Sequence, residues 1–177
     1  MKKMLVTAVA AVGLSLAWFS PAQAQSFANW SSGTVTTGDA MYAITINDSG
    51  NALGQYCFPP SESCVWLLAM STTCDEGDQY PVLANSDVGA AYLQVYCSRK
   101  LDNGLQGYAF TQFDAVDAIV TKGSTVGFAI PLKGDQFRVV RFSLAGSNRA
   151  ISTMRAEAQR AQKTLPLKYT GTRDIDL

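Results

Sequence analysis

Four cysteines, Cys57, Cys64, Cys74 and Cys97, are the residues best placed for covalent or metal chemistry, in a chain of 177 residues with no histidine. The missing histidine removes the Ser-His-Asp triad, the Cys-His pair and every His-ligated metal site. It also removes the usual general base near neutral pH. Four thiolates can hold zinc, but the spacings here contain no C-x-x-C. A reactive thiolate needs an activating base or cation, and no histidine exists to serve. Disulfides remain, and an even number of cysteines suits them. Three pairings are open. The loop "CFPPSESC" favours Cys57 with Cys64, because Pro59 and Pro60 prebend it. Cys74 opens an irregular loop and would then join Cys97, at the end of the run "AAYLQVYC".

The carboxylates offer less. Asp75, Glu76 and Asp78 in "CDEGD" surround a glycine turn with the oxygen donors that Ca²⁺ takes. They lack EF-hand spacing, so the stretch reads as a solvated turn, and no metal or cofactor is expected. Asp114 and Asp117 in "QFDAVDAIV" could pair as acid and base across a glycosidic bond, although their spacing at a strand boundary suits a turn. No S-x-x-K, G-x-S-x-G, P-loop or G-x-G-x-x-G occurs, so no catalytic residue and no nucleotide site is assigned. Trp30, Tyr42, Tyr56, Phe58, Trp66, Tyr80, Tyr92 and Tyr96 are many aromatics for a small domain. Tyrosine and tryptophan are enriched at binding surfaces, and they also fill β-cores. Trp66, inside "CVWLLAM", is expected in the core.

The first residues set the expected compartment. Lys2 and Lys3 precede the apolar run "MLVTAVAAVGLSLAWF", and Ala22-Gln23-Ala24 supplies an A-x-A site. This is the three-part pattern of a secretory signal peptide over residues 1–24, cleaved after Ala24. The run is shorter than a membrane span needs. No lipobox-like cysteine sits at the cut. Removal of 24 from 177 residues leaves 153, the size of one domain. Losing two cations from a balance of 14 basic and 14 acidic residues leaves a net charge of −2. That gives no electrostatic footprint for nucleic acid.

The elements that would position these residues read as β-rich with one late helix. Strands are expected at 40–47, 64–70, 80–85, 89–97, 105–113 and 135–144, on alternation or continuous apolar runs. Pro81 places its strand at an edge or strand start. "AIVTKGSTVGFAIPL" (118–132) reads as a hairpin around Lys122-Gly123. No crossover helix is expected before residue 147, which favours an antiparallel sandwich or barrel over a parallel sheet. The helix is "SNRAISTMRAEAQRAQKTL" (147–165), with Ser147 as N-cap. Ile151, Met154, Ala158, Ala161 and Leu165 form its apolar face. Arg149, Arg160 and Lys163 fall opposite, as a solvated side or a docking side for an acidic partner. The tail at 168–177 could add an edge strand.

"GFAIPLKGDQFRVVRFSLAGSNRAISTM" (127–154), a strand closing in "FSLAG" before a helix opening, resembles the C-terminal part of the invasion-associated locus B family. Trp30 in "FANWSSG" is similar to that family's aromatic start, and an exported context with two cysteine pairs also fits. The resemblance covers the last quarter of the mature chain. Gly146-Ser147 departs from the family's Gly-Phe. It implies a small periplasmic or surface β-sandwich linked to host interaction, with no catalytic residues to carry over.

The expectation is therefore an exported bacterial protein, periplasmic or secreted, with residues 25–177 as a single antiparallel β-sandwich (or barrel) and one C-terminal α-helix. Its function would be non-catalytic binding of a protein or glycan partner of the envelope or host. It would make no nucleic-acid contact and keep no stable membrane span after cleavage. The alternatives are a carboxylate-based glycan hydrolase and an inhibitor presenting the 57–64 loop to a protease.

Overall fold

The computed structural model describes residues 24–37, 39–131 and 136–164. The leader up to residue 23, Leu165 and the expected tail strand lie outside the described residues. Ten strands form one antiparallel sheet: β1 (Gln25–Phe27), β2 (Trp30–Thr34), β3 (Met41–Ile46), β4 (Ala52–Phe58), β5 (Ser63–Met70), β6 (Gln79–Ser86), β7 (Gly89–Lys100), β8 (Gln106–Phe110), β9 (Thr125–Pro131) and β10 (Phe137–Ser143). Their order across the sheet is β1-β2-β3-β4-β5-β8-β7-β6-β9-β10. Two helices, α1 (Phe113–Lys122) and α2 (Ser147–Thr164), complete the fold.

The mainly β, antiparallel class and the C-terminal helix are as the sequence indicates. One sheet supplies all the layers, however, and it does not close into a barrel, since β1 and β10 have one neighbour each. It curls until its two ends meet through single hydrogen bonds. Trp30 Nε1 donates to the Ser143 carbonyl at 3.0 Å, and Asn47 Nδ2 donates to that of Arg141 at 3.1 Å. An edge strand otherwise offers unpaired backbone groups to other chains, and these side chains occupy two acceptors of the β10 edge.

The inner face carries the core. The period of two puts Ala43, Leu53, Trp66, Leu68, Val95, Phe128 and Phe142 on it, all buried. Trp30 and Trp66 meet edge to face at 6.4 Å, an arrangement that adds about 0.5–1.5 kcal/mol beyond area burial. α2 lays Ala150, Ile151, Met154 and Ala158 against this face, the spacing expected of an amphipathic helix. Ser147 opens α2, but its hydroxyl donates to the Val120 carbonyl of α1 at 2.7 Å, tying the two helices together. Pro81 lies in β6 beyond the ladder with β9, which begins at Leu83. The missing N–H of proline therefore costs no sheet bond.

Three expectations are corrected. The hairpin at Lys122-Gly123 is replaced by α1, with Gly123 at its C-terminal end. The strand expected to reach 113 stops at Phe110. A crossover helix does precede residue 147, because α1 carries the chain from β8 to β9. The cause is spacing: Val116, Ile119 and Val120 recur at helical intervals and are all buried, so packing outweighs their β-branched preference. β1, β2 and β4 were not legible as strands. Gly33, Gly54 and the polar "SS" and "GQ" pairs weaken their alternation.

Candidate functional site

The cysteines form two bridges, Cys57–Cys64 and Cys74–Cys97. Cys57 and Cys64 are direct cross-strand partners of β4 and β5, across a 3₁₀ turn at Pro59–Ser61. Cys97 is fully buried, and Cys74 packs against the core from its loop. Asp75, Glu76 and Asp78 all stand exposed on a turn held by the Gly77 N–H donating to the Cys97 carbonyl. Among the described residues, no group of three or more metal-ligating side chains comes together.

Asp114 and Asp117 lie on α1. Asp114 is exposed in its first turn. Asp117 pairs with the Arg155 guanidinium and accepts a hydrogen bond from Gln55 Nε2 at 3.2 Å. Gln55 is wholly buried, and its Oε1 accepts from Arg155 Nε at 2.8 Å. The three residues join β4, α1 and α2 in one closed polar network. Each partner of Asp117 comes from the packing of these elements, as befits a structural group.

The aromatics divide between two faces. Trp30 and Trp66 are core. Tyr56, Phe58 and Tyr96 line a concavity of about 740 Å³ on the outer face of the sheet. Its floor follows from strand register. Ile44, Gly54, Leu67, Ala109 and Tyr96 are successive partners across β3, β4, β5, β8 and β7. Ala52, Ala69 and Gly107 form the next row on the same face. A sheet face turned to water normally carries polar residues. This one is apolar, with small residues on its central strands.

Two segments wall the trough. One is the stretch after β2, with Val35, Thr36, Thr37 and Asp39; the other is the end of β7 and the turn after it, with Arg99, Leu101 and Asp102. Leu101 leans over Gly107, where its Cδ2 stands 3.7 Å from the position a Cβ would take. Tyr42 and Tyr56 pack 6.3 Å apart. Gly33 leaves room for the Tyr42 hydroxyl, which would approach a Cβ there to 2.9 Å. Burial, and then the neighbouring Tyr42, push the Tyr56 phenol above its ordinary value, so it stays a neutral hydrogen-bonding hydroxyl.

A second apolar row lies further along the outer face. Tyr92, Leu83, Ala129 and Val139 are successive partners across β7, β6, β9 and β10. Three of them are prominently exposed, Tyr92 by 68%, Leu83 by 53% and Val139 by 47%.

The trough was not read from the sequence, though one signal was present. "CVWLLAM" is apolar at both parities, and so is the first half of "AMYAITIN". In a single sheet, such a run buries one side and leaves the other apolar side for something else.

No family model and no curated protein matches this chain. Among solved structures, it is similar to the crystal structure of invasion associated protein B from Bartonella henselae, with a TM-score of 0.56 and 14% identity. The match covers 77% of this chain and 99% of that one. The likeness is one of fold.

Proposed function

We propose that this chain is an exported, non-catalytic binding protein of the bacterial envelope, and that the outer-face trough is its binding site. The observation that carries this reading is the walled apolar floor of Ile44, Leu67, Ala69 and Ala109, over which no helix or second sheet lies among the described residues. The volume falls in the range of ligand pockets, about 300–1,000 Å³. Export is supported by the leader-like pattern of residues 1–24 and by two disulfides, which suit an oxidising compartment. No helix among the described residues is long and apolar enough to cross a membrane. The fold shared with an invasion associated protein supports a role in host interaction.

Cross-linking and native mass spectrometry on envelope extracts test the reading, with wild type and Leu67→Glu side by side. Capture of a ligand or partner by wild type, lost in the folded variant, is expected. Equal capture by both, or turnover of glycan substrates by wild type, would overturn it.

A further inference from the structure

The trough has a chemistry that selects among ligands. Its floor side chains, Ile44, Gly54, Leu67, Ala69 and Ala109, carry no donor or acceptor. The backbone beneath them is committed to ladders among five mutually paired strands. Hydroxyl or amide groups of a glycan or extended peptide laid over Ile44, Leu67 and Ala69 would give up water and find no partner there, which is unfavourable. The part of the occupant over these residues is apolar, while the hydroxyls of Thr36, Thr37, Tyr56, Tyr96 and Ser98 stand around it.

Polar groups sit at the walls instead. Arg99 stands at the end of β7, Asp102 on the β7–β8 turn, and Asp39 on the facing segment. All three are exposed. Among the described residues the ion pair is Arg155–Asp117, so none of these charges pairs with another described residue. Arg99 is the one cation among the described lining residues, against two carboxylates. A headgroup carrying both signs complements this rim, with an anionic group to Arg99 and a cation to Asp39 or Asp102. A plain carboxylate would meet two like charges. From Ile44 to Tyr96 the row crosses four inter-strand steps, about 19 Å at about 4.8 Å per step. That matches a long fatty acyl chain in extended form.

We propose that the trough binds a single-chain zwitterionic phospholipid, its acyl chain on the Ile44–Tyr96 floor and its headgroup among Arg99, Asp39 and Asp102. The assignment rests on the trough being the binding site. It would give the protein a lipid cargo or a lipid-sensing surface.

Lysophosphatidylethanolamine, palmitate and lysophosphatidylglycerol, each below its micelle concentration, are titrated into the purified protein and followed by native mass spectrometry and calorimetry. One lysophosphatidylethanolamine per chain is expected, bound at least fivefold more tightly than palmitate or lysophosphatidylglycerol. Ala109→Phe, which fills the floor, and Leu67→Glu, which charges it, should each weaken binding tenfold or more. Leu83→Gln, in the other exposed row, should leave it unchanged. Arg99→Gln should narrow the preference over palmitate. Melting curves of each variant show that it is folded. No saturable binding, or binding untouched by both floor variants, overturns the proposal, and equal affinity for palmitate overturns its headgroup assignment. Capture of a macromolecule sensitive to Leu67→Glu, with no lipid bound, would leave the trough as the binding site and sink the lipid.

Discussion

A Cβ on Gly146 would lie 1.8 Å from the carbonyl oxygen of Phe27. Gly146 has φ +92° and sits immediately before α2, while Phe27 ends β1. The helix can therefore begin against the first strand only if the residue before it has no side chain. The neighbouring backbone bond, from Asn29 N–H to the Ala145 carbonyl at 3.2 Å, fixes the same corner. Gly146→Ala is expected to destabilise the fold by at least about 3 kcal/mol, from the left-handed φ and the clash together. Gly50→Ala is the control, since Gly50 also has positive φ but open space around it. It should cost about 1–2 kcal/mol. Urea denaturation measures both, and equal losses would refute the steric account.

The two bridges should differ in value. By loop entropy, the separation of seven residues at Cys57–Cys64 contributes about 2.5 kcal/mol, and that of twenty-three at Cys74–Cys97 about 3.5 kcal/mol. Cys97 is also in the core. Cys74→Ser with Cys97→Ser should therefore lower stability more than Cys57→Ser with Cys64→Ser. Paired thermal melts decide the order.

Asp87, on the β6–β7 turn, accepts the Ser124 N–H at 2.8 Å and the Thr125 N–H at 3.2 Å. These bonds, Ser124 first, hold its carboxyl below the ordinary value. Its stabilising effect is therefore complete above the unfolded aspartate pKa of about 3.9 and disappears as pH falls through the lower folded value. The melting temperature of wild type should exceed that of Asp87→Asn at pH 7, and the gap should shrink below about pH 4. A gap constant with pH would rule the mechanism out.

Arg155→Ala should leave the fully buried Gln55 Oε1 without its donor and Asp117 without its cation. A loss of about 1–3 kcal/mol is expected, set mainly by the orphaned Gln55. Gln55→Leu in the same background should recover part of it. A double-mutant cycle checks the coupling, and additive losses would show that the three residues do not act as a network.

Export has a direct readout. The protein recovered from a native host should have the intact mass of a chain beginning at Gln25 with all four cysteines oxidised. Retention of Met1 in a membrane pellet would contradict it.

Local sequence determined a good share of this molecule. The helix at 147–164 follows from Ile151, Met154 and Ala158 recurring on one face, and β10 from Val140 and Phe142 in alternation, because both periods are set by bonds between near neighbours in the chain. The short Pro-Pro loop between Cys57 and Cys64 likewise joins residues that are close in sequence. Tertiary contacts decided the rest. Residues 113–122 carry the β-branched Val116, Ile119, Val120 and Thr121, yet packing under the sheet makes them α1. Chain order reverses from β6 to β8 before β9 returns to pair with β6, and nothing local dictates that. The trough lies furthest from local reading. Ile44, Gly54, Leu67, Ala109 and Tyr96 become one row only when five strands take a common register, and a slip of one residue in any strand would turn its side chain to the other face. Register is set by the whole core at once, by Trp30 against Trp66 and α2 against the inner face, so the site exists in the folded sheet and in no single stretch of the chain.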